Sequence, residues 1–203
     1  MKCACLVWLA GLPVLLFAAG CAVSSDPTLR GLPRGMHVIT EDEFYDVEGS
    51  TVATLRTSLR KNGPTLHGRT VLGLASWRIE PKYQTVFKTG ECQMNKVDVF
   101  LHIIITLPRW QPPPDVDSLL VEQWQTYVAA ISEHEEGHRA ISIEAVKNLT
   151  RDLWRLRAFD CTEIHTRVSD RYDAFYDDIT TKQNTYDRVY KPIYWPPPPS
   201  TQR

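Results

Sequence analysis

Residues 117–159 read DSLLVEQWQTYVAAISEHEEGHRAISIEAVKNLTRDLWRLRAF, and this stretch decides the fold. No proline interrupts it, and its apolar residues recur in steps of mostly three or four, which is the period of a helix with one buried face. Asp117 or Ser118 is a favourable N-cap. We therefore predict one long helix, with Gly137 as its only weak point. Its buried stripe is Leu120, Trp124, Tyr127, Ile131, His134, His138, Ile141, Ala145, Leu149 and Leu156.

The middle of this helix carries the motif His134-Glu135-Glu136-Gly137-His138, a His-Glu-x-x-His pattern. Positions i and i+4 share one face of a helix, so the imidazoles of His134 and His138 can bind the same Zn²⁺. Glu135 lies about 100° away around the helix, which suits a general base acting on a water that the metal acidifies. This spacing is typical of zinc peptidases. The alternative is a charged helix face over residues 133–139 that contains two incidental histidines.

A catalytic zinc site needs a third protein ligand. After a turn at residues 160–162, the apolar period predicts a second helix over about residues 163–181. If this helix folds back antiparallel to the first, position 138 faces about position 182. The third ligand is therefore expected near that level of the second helix.

Three acidic residues lie near this level, namely Asp177, Asp178 and Asp187, and we select Asp177 as the third ligand. His165 is a poor candidate, because it would lie roughly 25 Å from His138 along the helix. The histidines that could approach only from the sheet are His37, His67 and His102.

The residues before the long helix have the pattern of β-strands. Apolar residues alternate strictly from Val97 to Leu107, which predicts the strongest strand. Weaker strands are predicted over residues 36–40, 44–47, 70–79 and 84–87, and a short helix over residues 52–59. The expected fold class is α+β: a small antiparallel sheet with a short helix, followed by a long antiparallel helical hairpin that carries the His-Glu-x-x-His motif.

The first residues have the form of a secretory signal peptide, with Lys2 before an apolar run. Small residues precede Cys21 and resemble a bacterial lipobox, so we expect Cys21 to be lipidated; the alternative is an ordinary signal with an incidental cysteine. Because Ala22 rather than Asp follows, the expected location is the outer membrane, facing the periplasm. The predicted organisation is a signal peptide (1–20), a lipid-anchored tether (21–34), a metallopeptidase-like domain (35–187) and a proline-rich tail (188–203).

The cysteine count supports export. Cys3 and Cys5 leave with the signal peptide and Cys21 would carry lipid, so Cys92 and Cys161 remain as a pair. In an oxidising compartment we expect them to form a disulfide, worth roughly 3–4 kcal/mol in the chain-entropy model. The alternatives are two buried free thiols or, less favoured, a metal site.

The charge balance excludes one class of partner. The chain of 203 residues has 23 basic and 24 acidic residues, so it offers no basic surface for nucleic acid. With 43% hydrophobic and 23% charged residues, it is neither disordered nor a multi-span membrane protein. We expect membrane contact only through the lipid anchor.

In its order of short motifs, the chain resembles the bacterial domain-of-unknown-function nine-two-two family, described as predicted secreted zinc-dependent proteases. The pieces are Tyr45-x-Val47-x-Gly49, Gly63-Pro64, Trp77-x-Ile79, Cys92, Leu107-Pro108-x-Trp110, Trp124-x-x-Tyr127, residues 134–138 and Cys161. The resemblance implies an α+β fold, zinc bound by His134 and His138, Glu135 as base, a peptide or protein substrate, and a Cys92–Cys161 disulfide.

One position departs from the family pattern. The family's end motif reads Tyr-Asp-x-x-Thr-x-His-Gly, whereas residues 176–183 place Lys182 where the histidine belongs. A protonated lysine cannot ligate zinc and would repel it. Either Asp177 or another acid substitutes, or the site binds zinc weakly or is inactive. Two functions therefore stay open: a zinc peptidase of the envelope, and a non-catalytic envelope lipoprotein that binds or scaffolds.

Overall fold

The structure is a computed structural model that describes residues 27–190 together with Ile193 and Trp195. The predicted signal peptide (1–20), the lipidation site Cys21 and most of the predicted tail lie outside the described residues. After a 3-10 turn at Pro27–Leu29, the elements are β1 (Met36–Val47), α1 (Val52–Asn62), β2 (Thr65–Leu66), β3 (Arg69–Thr70), β4 (Leu74–Lys88), β5 (Glu91–Trp110), α2 (Ser118–Arg155), β6 (Arg157–Ala158) and α3 (Cys161–Val189). Among the helices of this part, none is both long and apolar enough to span a bilayer.

The main sheet is mixed, with β5 at its centre. Strand β1 pairs with β5 in parallel, and β4 pairs with the other edge of β5 antiparallel. The short β6 pairs with the beginning of β5, at Cys92 and Gln93. The predicted fold class, a small antiparallel sheet followed by a helical hairpin, is therefore wrong: the fold is α+β with a mixed sheet and, among the described residues, three helices.

The error in the sheet has a physical cause. Apolar alternation shows which face of a strand is buried, but carries no information on the direction of its neighbour. Residues 41–43 are acidic and exposed on an edge strand, so the pattern divides β1 into two short pieces. As one strand of twelve residues, β1 instead pairs in parallel along β5, and the crossover that parallel pairing requires is supplied by α1 and the strands after it.

The predicted helical hairpin is wrong because α2 and α3 are connected differently from the expected turn. Helix α2 begins after its N-cap Asp117, as expected, but ends at Arg155, where the chain enters β6 and joins the sheet. Helix α3 then begins after its N-cap Asp160 and continues to Val189, beyond the predicted end near residue 181. The two helices are thus joined through a strand of the sheet rather than by a simple turn.

The core lies between the sheet and α2. The alternating residues of β5, from Val97 to Leu107, are buried on one face, and α2 packs against this face. Helix α3 packs against α2 and also contacts β4, β5 and β6 of the sheet. Within the predicted tail, Trp195 is buried against the rings of Trp124 and Tyr127, with ring centroids 5.7 and 4.9 Å away.

The predicted disulfide is confirmed. Cys92 at the start of β5 is bonded to Cys161 at the start of α3, with a sequence separation of 69 residues and a Cα–Cα distance of 5.1 Å. Cys92 is completely buried. The bond therefore fastens the first turn of α3 to the end of the sheet.

Removing this bond should destabilise the protein strongly. For the double variant Cys92→Ser/Cys161→Ser, we expect the free energy of unfolding to fall by about 4 kcal/mol, because a loop of this length is released in the unfolded chain. Guanidinium unfolding of the variant, and of wild type under reducing conditions, measures the change. A loss below about 1 kcal/mol in both samples would contradict the expected contribution.

Candidate metal centre

Three side chains from α2 and α3 converge on one point. Nε2 of His134 and Nε2 of His138 lie 3.2 Å apart, and Oδ1 of Asp187 lies 3.1 and 2.8 Å from them, respectively. Together they form a group that could hold a metal ion. Ligand atoms at the usual zinc distances in a tetrahedron are roughly 3.3 Å apart. Two imidazoles and one carboxylate at this spacing fit zinc with one coordination position left open.

The acid in this group is Asp187, not the selected Asp177. Asp177 is exposed and does not belong to the group. Two polar residues of α3, Gln183 and Asp187, contact the histidines of the motif and have the same i, i+4 spacing as them. Position 183 therefore faces His138, one residue from the expected level of about 182.

Lys182 does not face the centre. Its side chain is exposed, and Nζ lies 2.6 Å from Oδ2 of Asp178 on the outer face of α3. The expected repulsion between Lys182 and a metal at this site therefore has no basis in the structure.

The other candidate histidines lie outside this group, although His67 lines the same cleft as His134 and His138. Nδ1 of His165 lies 2.8 Å from the hydroxyl of Tyr83, and Nε2 of His37 lies 3.2 Å from Asp98. His67 and His102 also lie outside the group of three.

Gly137 allows α3 to approach α2 at the motif. A Cβ on Gly137 would lie 2.0 Å from the hydroxyl oxygen of Tyr186. The ring of Tyr186 stacks on His134, with centroids 5.1 Å apart, and lies edge-on to His138 at 5.0 Å. A larger residue at position 137 would move Tyr186 away from both imidazoles. The weakest helix former in α2 is thus the residue that lets the two helices meet.

The amide of Gln183 selects one tautomer of His138. Its Nε2 donates to the backbone carbonyl of His138 at 3.2 Å and to Oγ of Ser142 at 3.0 Å. Because these contacts orient the amide, Oε1 faces Nδ1 of His138 and accepts a hydrogen bond from it. With the proton on Nδ1, His138 presents the lone pair of Nε2 to the centre, as a metal ligand does.

This arrangement favours a cation. In the neutral form with the proton on Nδ1, Nε2 of His138 presents its lone pair to the Asp187 carboxylate, with 2.8 Å between Nε2 and Oδ1. A bound cation would turn this repulsion into attraction. Burial and the neighbouring His138 lower the pKa of His134, against the opposing effect of Asp187. A neutral imidazole is the form that binds a metal.

Glu135 lies beside the group without belonging to it. Only 5% of the residue is exposed, and this burial raises the pKa of its carboxyl above the usual range, although His138 and the backbone of Ala75 oppose the shift. Gly73 makes room for the carboxyl, since a Cβ there would lie 2.7 Å from Oε1. A buried carboxyl with a raised pKa can accept and return a proton nearer neutral pH than an exposed one can.

The contact between Gln183 and His138 can be tested. We expect Gln183→Leu to weaken zinc binding by about ten- to a hundredfold, the usual effect of losing a partner that orients a metal ligand. Gln183→Glu keeps an acceptor for the Nδ1 proton and should retain most of the affinity. Competition with a chromophoric chelator measures the affinity, and ¹⁵N NMR of the metal-free protein reports the tautomer of His138. Unchanged affinity and tautomer in Gln183→Leu would contradict the assigned role.

Comparison with known proteins identifies a family. The family model described as "Bacterial protein of unknown function (DUF922)" matches residues 42–191. This range contains the disulfide, the three converging side chains and Glu135. Neither the curated proteins nor the solved structures contain a match to the chain. The match covers most of the chain and confirms the resemblance seen in the motifs, so the protein belongs to this bacterial family, domain of unknown function nine-two-two.

Proposed function

We propose that the protein is a zinc-dependent peptidase of the bacterial cell envelope, anchored to the outer membrane by lipid on Cys21. One observation carries the proposal: two imidazoles and a carboxylate converge with their ligand atoms within 4.8 Å of one another, beside the buried Glu135. A cleft of about 700 Å³ opens at this point and is large enough for a segment of a peptide.

The proposed roles follow from the chemistry of the side chains. His134, His138 and Asp187 would hold the metal, and zinc when bound supplies a Lewis acid and lowers the pKa of a water toward ~7. Glu135 would take the proton of the attacking water and then pass it to the leaving amine. Gln183 would hold His138 in its ligating tautomer. Tyr186 would keep both imidazoles packed in position.

The non-catalytic alternative rested in part on Lys182 lying opposite His138, where its charge would exclude a metal. Lys182 instead forms an ion pair with Asp178 on the outer face of α3. We therefore favour the peptidase.

Hydrolysis of an unfolded protein tests the proposal. The purified protein with one equivalent of zinc is incubated with reduced, alkylated casein, and mass spectrometry identifies new peptide termini. We expect cleavage that stops when a chelator removes the metal and returns when zinc is restored. Absence of cleavage by protein that demonstrably holds zinc would contradict the peptidase function.

A further inference from the structure

We propose that the cleft selects peptides with a bulky apolar side chain next to the bond to be cleaved. The reference to cleavage rests on the proposed peptidase function, whereas the preference for an apolar side chain concerns binding and can be tested without catalysis.

The cleft is apolar away from the candidate metal centre. Apart from His67, which lies in the turn of the β2–β3 hairpin, the polar groups of its described lining lie where α2 and α3 meet, around His134 and His138. The rest of its wall comes from the β2–β3 hairpin, the start of β4, α2 and the residues after α3. The apolar side chains of this wall include Leu66, Val71, Leu72, Trp77, Ile131 and Ile193. An apolar substrate side chain would release water from this wall, and a small or polar one would not.

The apolar wall begins at Glu135. Ile131 precedes Glu135 by one helical turn, and both side chains contact the backbone at Gly73, where a Cβ would lie 2.6 Å from Cγ2 of Ile131. The next segment of wall is held by Tyr45, whose hydroxyl donates to the carbonyl of Leu72 at 2.7 Å. A substrate bond beside Glu135 therefore places a neighbouring side chain against a fixed apolar surface.

The charges of the cleft disfavour acidic substrates. No lysine or arginine belongs to the part of its lining that the structure describes, whereas Glu135 and Asp187 both do. A substrate carboxylate that lies beyond the reach of a metal at the centre would find neither a lysine nor an arginine in the described lining and would share the cleft with two acidic groups. A lysine or arginine side chain would place its charge against the apolar wall. An uncharged, bulky side chain avoids both the repulsion by the two acidic groups and the burial of a charge against the apolar wall.

Leu66 offers a variant that changes the cleft with little risk to folding. It is 41% exposed and lies in the short β2–β3 hairpin, outside the main sheet. Leu66→Asp adds a carboxylate to the cleft, and Leu66→Lys adds a cation. The matched control is Leu119→Asp, because Leu119 is also an exposed leucine but lies in the first turn of α2, outside the cleft lining.

Binding is measured on full-length Glu135→Gln protein, with and without zinc, by calorimetry. The probes are hexapeptides that differ only at one central position, which is Phe, Leu, Gly or Glu. We expect the Phe and Leu peptides to bind about tenfold more tightly than the Gly and Glu peptides. Leu66→Asp should lower the affinity for the Leu peptide at least about fivefold, and Leu66→Lys should raise the affinity for the Glu peptide. Leu119→Asp should change neither affinity.

Equal affinities, a preference for Glu, or no measurable binding of the Phe and Leu peptides would overturn the inference. An unchanged profile in both Leu66 variants would overturn it as well. The two proposals fail separately: wild type that cleaves beside acidic or small residues contradicts the apolar cleft and keeps the peptidase. Selective binding of apolar peptides without any hydrolysis by wild type contradicts the peptidase and keeps the apolar cleft.

Discussion

Replacing Glu135 with glutamine should lower the kcat for peptide hydrolysis by about a hundred- to ten-thousandfold while leaving the zinc affinity unchanged. Glutamine keeps the shape of the side chain but cannot accept the proton of the attacking water. Because burial raises the pKa of the Glu135 carboxyl, a neutral amide in its place should leave the protein at least as stable. Steady-state kinetics, chelator competition and thermal unfolding measure the three quantities.

Glu136 provides the matched control in the same motif. Its carboxylate pairs with Arg139 at 3.0 Å and is half exposed, and it lies outside the group of three converging side chains. Glu136→Gln should therefore retain kcat within about twofold, since a partly exposed pair contributes little. Equal activity losses in Glu135→Gln and Glu136→Gln would show that the motif supports the fold rather than the chemistry.

Replacing Asp187 with alanine should weaken zinc binding by about a thousandfold, because one of three protein ligands is lost from a site that cannot replace it. His134→Ala and His138→Ala should have effects of at least this size. Chelator competition on each purified variant gives the dissociation constant, and circular dichroism confirms that α3 remains helical.

Asp177→Ala is the control for Asp187→Ala. Asp177 lies on the same helix, is exposed and is also an aspartate, but it is not part of the converging group. Its removal should leave the zinc affinity unchanged. If Asp177→Ala weakens zinc binding and Asp187→Ala does not, the third ligand is the residue selected from the sequence and the geometry described above is not the metal-bound one.

Local patterns in the sequence predicted local structure well. The alternation from Val97 to Leu107 and the helical period after Asp117 each depend on which residues of a single element are buried. The structure has the predicted buried face on β5 and the predicted start of α2. The pairing of Cys92 with Cys161 followed from the number of cysteines that would remain if the chain is exported and its signal peptide removed. The direction of β1 was not predictable, because it depends on contacts with a strand about sixty residues away.

In the candidate site, too, the residues that depend on local spacing were predictable and those that depend on contacts between elements were not. His134, Glu135 and His138 lie within one turn of α2, so their spacing alone brings both imidazoles to one side. Asp187 depends on how α3 lies against α2, and a shift of one residue rotates a side chain by about 100° around the helix. The register that places position 138 opposite about position 182 also places His134 opposite about position 186, and this is the signal that could have identified Asp187. For Gln183 itself the sequence offered none, since an amide carries no metal-ligand pattern.

The zinc content of the purified wild-type protein shows whether His134 and His138 bind a metal. The protein is equilibrated with micromolar zinc, dialysed against metal-free buffer and analysed by mass spectrometry for metals, alongside the double variant His134→Ala/His138→Ala. We expect about one zinc per wild-type chain and background zinc in the variant. A wild-type chain that retains no zinc, or a variant that retains as much as wild type, would contradict the proposed metal site.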